Sequence, residues 1–156
     1  MTSGSDEAGC LCALALTACP AAVREGRKLV GELLERHAPA ELADDAMLVA
    51  SELIGNAVRV GGRIVLSVHV EADRRVTVRV WDRSPVEPVP GAPGALDEHG
   101  RGLLIVQSLS EDWGWTPHPL GGKTVWAALT VRQRRDASPD DVTVQPSLDA
   151  VSAVSV

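Results

Sequence analysis

Two neighbouring stretches, "RIVLSVHV" (63–70) and "VTVRVWD" (76–82), alternate apolar and polar residues so regularly that they leave little choice of backbone. Successive side chains on a strand point to opposite faces, so Ile64, Leu66, Val68 and Val70 share one face of the first stretch, and Val76, Val78 and Val80 share one face of the second. "EADRR" between them reads as a turn, and the whole as a β-hairpin. An apolar face of this size needs a covering layer.

The layer is supplied upstream. "PAAVREGRKLVGELLERH" places Val23, Val30, Leu33, Leu34 and His37 at helical spacing, with Pro20 tolerated in the first turn. "APAE" interrupts the chain, and a second helix is predicted from about Leu42 to Val60, stopped by Gly61 and Gly62. Leu11 to Thr17 is a short apolar run with the character of a strand. From Arg83 to His99 the prolines Pro85, Pro88, Pro90 and Pro93 exclude regular structure, over a length that marks a lid or a linker. A helix restarts at Gly100 to Gly102, "DWGWTPH" is a short strand or turn, and "GGKTVWAALTV" is a final strand. The predicted order β-α-α-β-β-lid-α-β-β is an α+β two-layer sandwich: a mixed, mostly antiparallel sheet with helices on one face. Its domain spans 11–131, between a disordered N-terminus (1–10) and a mostly disordered C-terminal tail (132–156).

Composition narrows the function. A net charge of −6 over 156 residues argues against a nucleic-acid footprint. With no Phe or Tyr and only four Trp, the core must be built from Val, Leu, Ile and Ala, and base-stacking platforms lack material. Cys10, Cys12 and Cys19 fit neither a paired disulfide framework nor a zinc site, and read as reduced cytosolic thiols. Leu16-Thr17-Ala18-Cys19 looks like a lipoprotein cleavage box, but the residues before it carry Asp6 and Glu7 and no Lys or Arg, unlike an export signal. No run is long and apolar enough for a membrane span. A cytoplasmic protein is expected.

Three anomalies carry chemistry. At 100° per residue, Ala46, Val49, Ala50, Leu53, Ala57 and Val60 form the sheet-facing sector of the second helix, while Asp45, Glu52, Asn56 and Arg59 lie opposite, with Asn56 nearest the apolar edge. Glu52 and Asn56 therefore sit one turn apart on one side. They are either a solvated face, the common case, or an acid and an amide projecting into a cleft. An amide carbonyl suits Mg2+ held together with phosphates, and a carboxylate beside it can orient or deprotonate an attacking hydroxyl. Asp82 continues the inward register of Val76, Val78 and Val80, so its carboxylate calls for a hydrogen-bond donor; the alternative is a turn-initiating Asp ahead of Ser84 and Pro85. In "HGRGL" (99–103), Gly100 and Gly102 open a helix, which is either a plain helix start or an anion site to which Arg101 adds charge.

In order and spacing these stretches resemble a known pattern. "SELIGNAV" is similar to the N box, "VWDRSPVEP" to the first glycine-box region, and "GRGLLIV" with "GGKTVW" to the later boxes of the GHKL ATPase superfamily (Bergerat-type fold). Within it the chain looks most like RsbW-like anti-sigma-factor serine/threonine kinases of the small actinobacterial kind, over about residues 11 to 131. The resemblance implies an ATP site with Mg2+: Glu52 as general base, Asn56 as the metal ligand, Asp82 accepting from the adenine amino group, Thr124 beside that Asp, and Gly100, Arg101, Gly102 and Leu103 holding phosphates beneath the lid. It implies a kinase acting on a small anti-sigma-factor antagonist, with a sigma factor as the other protein partner. Dimerisation through the exposed sheet face is left open. Three positions depart from the family: Asp82-Arg83-Ser84 replaces Asp-x-Gly, Val60 replaces a frequent His, and Gly55 stands where Thr or Asn is frequent. Two other readings stand beside the kinase. One is a non-catalytic nucleotide- and protein-binding module; the other is the ATP-binding half of a sensor histidine kinase, for which no upstream phosphoacceptor helix is visible.

Overall fold

The computed structural model describes residues 10–91 and 98–131. Residues 1–9 of the expected disordered N-terminus (1–10), the expected tail 132–156 and residues 92–97 of the predicted lid lie outside the described residues. Eight elements follow in the predicted order: β1 (Cys10–Thr17), α1 (Pro20–His37), α2 (Ala40–Val60), β2 (Arg63–Val70), β3 (Val76–Asp82), α3 (Glu98–Leu109), β4 (Asp112–Pro117) and β5 (Lys123–Leu129). Cys10 thus already belongs to β1, α2 starts two residues before the predicted Leu42, and "DWGWTP" resolves as a strand.

The five strands form one sheet in the order β1-β2-β3-β5-β4. Every pairing is antiparallel, so the expected mostly antiparallel sheet holds, with no parallel pair among the described strands. The reason lies in the connections. β2 and β3 are joined by the tight "EADRR" turn, in which the Glu71 N–H donates to the Arg75 carbonyl at 2.8 Å and Arg74 takes a left-handed φ of 67°. β4 and β5 are joined by an equally short loop, where the His118 N–H donates to the Gly122 carbonyl at 3.0 Å.

One face of the sheet is buried. Ile64, Leu66, Val68, Val76, Val78 and Val80 meet Ala46, Val49, Ala50, Leu53 and Ala57 of α2 in the core, as the alternation and the helical sector predict. Val60, assigned to the same sector, is only half-buried. The fully buried hydrophobic side chains are all Leu, Ile, Val or Ala; Trp113 and Trp115 pack at its margin. In α1 the buried stripe is Ala22, Gly26, Val30 and Leu34. His37, read as part of that stripe, is exposed. Glycine at 26 makes room for Ile54 of α2, because a Cβ there would run into Ile54 Cδ1.

Helix α2 ends where predicted. The Gly61 N–H donates to the Ala57 and Val58 carbonyls at 3.2 and 3.1 Å, and Gly61 and Gly62 take φ values of 85° and 79°, which favour glycine. Among the described residues no helix is long and apolar enough to cross a membrane. Cys12 and Cys19 are free thiols.

Ile54 is fully buried between α1 and the sheet. Replacing it with Ala should cost about 3 kcal/mol, the usual toll of a large-to-small change in a tight core. The check is a lowered denaturant midpoint at unchanged slope.

Candidate functional site

The alternation that builds β3 also makes the site. Asp82 is the last inward residue of that strand, and it is 3% exposed. Its neighbour across the ladder is Lys123, the first residue of β5, which is 6% exposed. Lys123 Nζ donates to Asp82 Oδ1 at 2.9 Å and to the Ser84 carbonyl at 3.2 Å, while the Ser84 N–H donates to the same Oδ1 at 2.8 Å. The two alternatives for Asp82 are therefore both realised: the carboxylate points inward, and it also caps the turn that leaves the strand. The donor that the sequence called for is present within the chain.

The turn before Lys123 explains how β5 comes so near. Gly122 has φ 75°, and a Cβ on it would collide with the Asp82 carbonyl. Trp81 Nε1 donates to the Gly121 carbonyl at 3.1 Å, tying the same turn to β3.

Above this ion pair lies a cavity of about 390 Å3 between α2, the inner end of the sheet and the start of the lid. That size is within the range of small-molecule sites. Its walls are mainly apolar, with Leu53, Val80, Leu103 and Val125 among them; Asn56, Arg59, Asp82 and Lys123 supply the polar groups. Ser84, Val86, Glu87, Pro88 and Val89 of the predicted lid close one side, and Val86 and Val89 remain about 70% exposed.

Asn56 is half-buried and lines the cavity. Its Oδ1 accepts from Arg59 Nη1 at 3.0 Å. That oxygen keeps a second lone pair for a cation, which would have the exposed guanidinium as a neighbour. Among the described residues no cluster of three or more His, Cys, Asp or Glu side chains exists. The donor set thus fits a hard ion that arrives with its own oxygen ligands, as Mg2+ does with phosphates, better than an ion held by protein alone.

Glu52, one turn back from Asn56, does not line that cavity. It is half-buried beside α3: a Cβ on Gly102 would lie 2.6 Å from Glu52 Oε2. Glycine at 102 is what admits the carboxylate. The predicted phosphate-holding run is shifted by the earlier helix start. Because α3 begins at Glu98, Gly100 and the exposed Arg101 lie in its first turn, where backbone N–H groups are free. Gly102 and Leu103 lie beyond it, and Leu103 is a buried apolar wall of the cavity.

Thr124 is not beside Asp82. It pairs with Trp81 and lines a separate depression on the opposite, uncovered face of the sheet. Strand parity is the reason: with Val125 and Ala127 inward, Lys123 must be inward and Thr124 outward. Parity applied to "GKTVWA" would have found Lys123. Arg59 was placed on the polar side of α2 but given no role.

Residues 16–129 match the family described as Histidine kinase-like ATPase domain. None of the curated proteins compared matches the chain. Among solved structures, that of the RsbU and RsbW domains of Rv1364c from Mycobacterium tuberculosis is similar, with a TM-score of 0.59 and 24% identity. The match covers 77% of this chain and 32% of that one, so the present chain corresponds to about a third of its neighbour's length.

Two double-substitution cycles test the geometry. Gly102→Ala should give no net stabilisation in the wild type, because Glu52 must move. In a Glu52→Ala background it should add up to about 1 kcal/mol of helix propensity. Asp82→Asn alone leaves the Lys123 ammonium buried without its counter-charge and should cost about 3 kcal/mol, most of it recovered in Asp82→Asn/Lys123→Met. Urea unfolding of each set of four proteins reads both cycles. With the match extending over most of the chain and through every element that lines the cavity, the protein belongs to the histidine kinase-like ATPase domain family.

Proposed function

We propose that the cavity binds ATP with Mg2+ and that the chain is an RsbW-like regulator, a protein serine/threonine kinase directed at an anti-sigma-factor antagonist and a binder of a sigma factor. The observation that carries this reading is the placement of a buried carboxylate, Asp82, in the wall of a mainly apolar cavity that Asn56 and Arg59 also line. A purine base is an apolar disc with a polar edge. It suits walls such as Leu53, Leu103 and Val125, and its amino group suits Asp82.

The triphosphate then extends toward Asn56, Arg59 and the first turn of α3. Asn56 would hold Mg2+ through its carbonyl oxygen, and Arg59 and Arg101 would be the cations nearest the phosphates. When bound, Mg2+ supplies charge neutralisation on the phosphate oxygens. Glu52 orients the Ser or Thr hydroxyl of the antagonist and takes its proton as the oxygen bonds to the γ-phosphorus and the bond to the β-phosphate oxygen breaks, leaving ADP. The fold likeness to a structure containing an RsbW domain supports the choice of partner class.

A second reading has its own observation. Glu52 packs against Gly102 outside the cavity lining, which favours a module that binds nucleotide and protein without transfer. Incubation with Mg-ATP and antagonist proteins encoded nearby separates the two. The kinase reading expects a phosphoprotein, with Glu52→Ala lowering the transfer rate by about 10²- to 10⁴-fold while ATP still binds. ATP binding with no modified partner would favour the binding module.

A further inference from the structure

Both members of the Asp82–Lys123 ion pair line the cavity. The pair is two-sided. An ammonium carries three N–H donors and a carboxylate two acceptor oxygens. Two of the Lys123 donors are spent on Asp82 Oδ1 and the Ser84 carbonyl. Among the described residues both hydrogen bonds to the Asp82 carboxylate, from Lys123 and the Ser84 N–H, end on Oδ1. One Lys123 N–H and Asp82 Oδ2 take no part in these bonds, on two residues that are joined by their ion pair and line the same cavity. Both residues are nearly buried, and a ligand that covered Asp82 Oδ2 without offering it a donor would leave it desolvated and unmatched.

We infer that Lys123 is a specificity-determining residue, forming with Asp82 a donor–acceptor fork that reads either purine edge, so that the site accepts GTP as well as ATP. This rests on the nucleotide reading above and narrows it to purine nucleoside triphosphates as a class. An adenine edge offers its amino N–H to the carboxylate and N7 to the ammonium. A guanine edge, moved one position along the fork, offers N1–H to the carboxylate and O6 to the ammonium. A lone carboxylate rejects guanine because O6 would face it; the adjacent ammonium removes that penalty. The close turn at Gly122 holds Lys123 in place for this, since its backbone packs on that of Asp82.

The test is fluorescence or calorimetric titration of the intact chain with Mg2+ and three nucleotides: ATP, GTP and purine riboside triphosphate, which has no substituent at position 6. Hydrogen bonds to charged groups are worth roughly tenfold to a hundredfold in affinity. The wild type should bind GTP within about tenfold of ATP, and purine riboside triphosphate at least about tenfold more weakly than ATP, because Asp82 then lacks its donor. Lys123→Met should weaken GTP at least about tenfold more than ATP, since O6 then meets the carboxylate alone. A merely structural role for Lys123 would lower all three affinities by a common factor, and that result overturns the inference. So does a wild type that binds ATP but takes GTP more than about tenfold more weakly, an outcome that requires no variant to fold. If the wild type binds none of the three, the nucleotide reading itself fails and the fork falls with it.

Discussion

The packing of α2 across the inner face of β2 and β3 is the constraint on which the rest is arranged. The helix has one sector of Ala, Val, Leu and Ile that the hairpin must cover, and the hairpin has one face of Val, Ile and Leu that the helix must cover. Once the two are joined, the helix has no rotational freedom left. Asn56 is then fixed at the rim of the core, above the place where β3 runs out of apolar residues and ends in Asp82.

The ion pair in the wall of that cavity comes at some cost. A buried ion pair is weak evidence of stabilisation, since desolvating two charges consumes most of what their attraction returns. Hydrophobic residues at 82 and 123 would seal the core more simply. The chain instead spends two glycines of left-handed conformation and a close backbone approach at Gly122 to set Lys123 against Asp82. Such an expense is understandable if the pair meets a ligand. Arg59 on Asn56 repeats the pattern, with a cation of the chain holding an oxygen wanted elsewhere.

Much of this was legible in the sequence, and the boundary of legibility has physical causes. The hairpin and α2 were readable because one-sided burial writes a period into the residues, and the glycine stop at 61 and 62 because few other residues take that conformation. The inward aim of Asp82 followed from the parity of β3 alone. The same parity on β5 identifies Lys123, yet the motif drew attention to Thr124, which the strand turns to the opposite face. The start of α3 was set two residues late because the Pro- and Gly-rich segment before it carries no periodic signal, and that shift moved Gly102 and Leu103 from free backbone donors to packing positions. The contact of Arg59 with Asn56, three residues apart on an exposed helix face, depends on a rotamer that no pattern of hydrophobicity encodes. The contact of Glu52 with Gly102 depends on how two helices pack, which spacing along one of them does not specify.

The central claim is that a purine nucleotide seats between α2 and the inner end of β3. A two-dimensional amide NMR titration with Mg-ATP addresses it most directly. The account predicts that the Asn56 side-chain amide and the backbone amides of Ser84, Leu103 and Lys123 shift together at one saturating concentration, while those of Ser67 and Thr124 on the uncovered face stay in place. Shifts confined to the uncovered face, or none at saturating nucleotide, would contradict it.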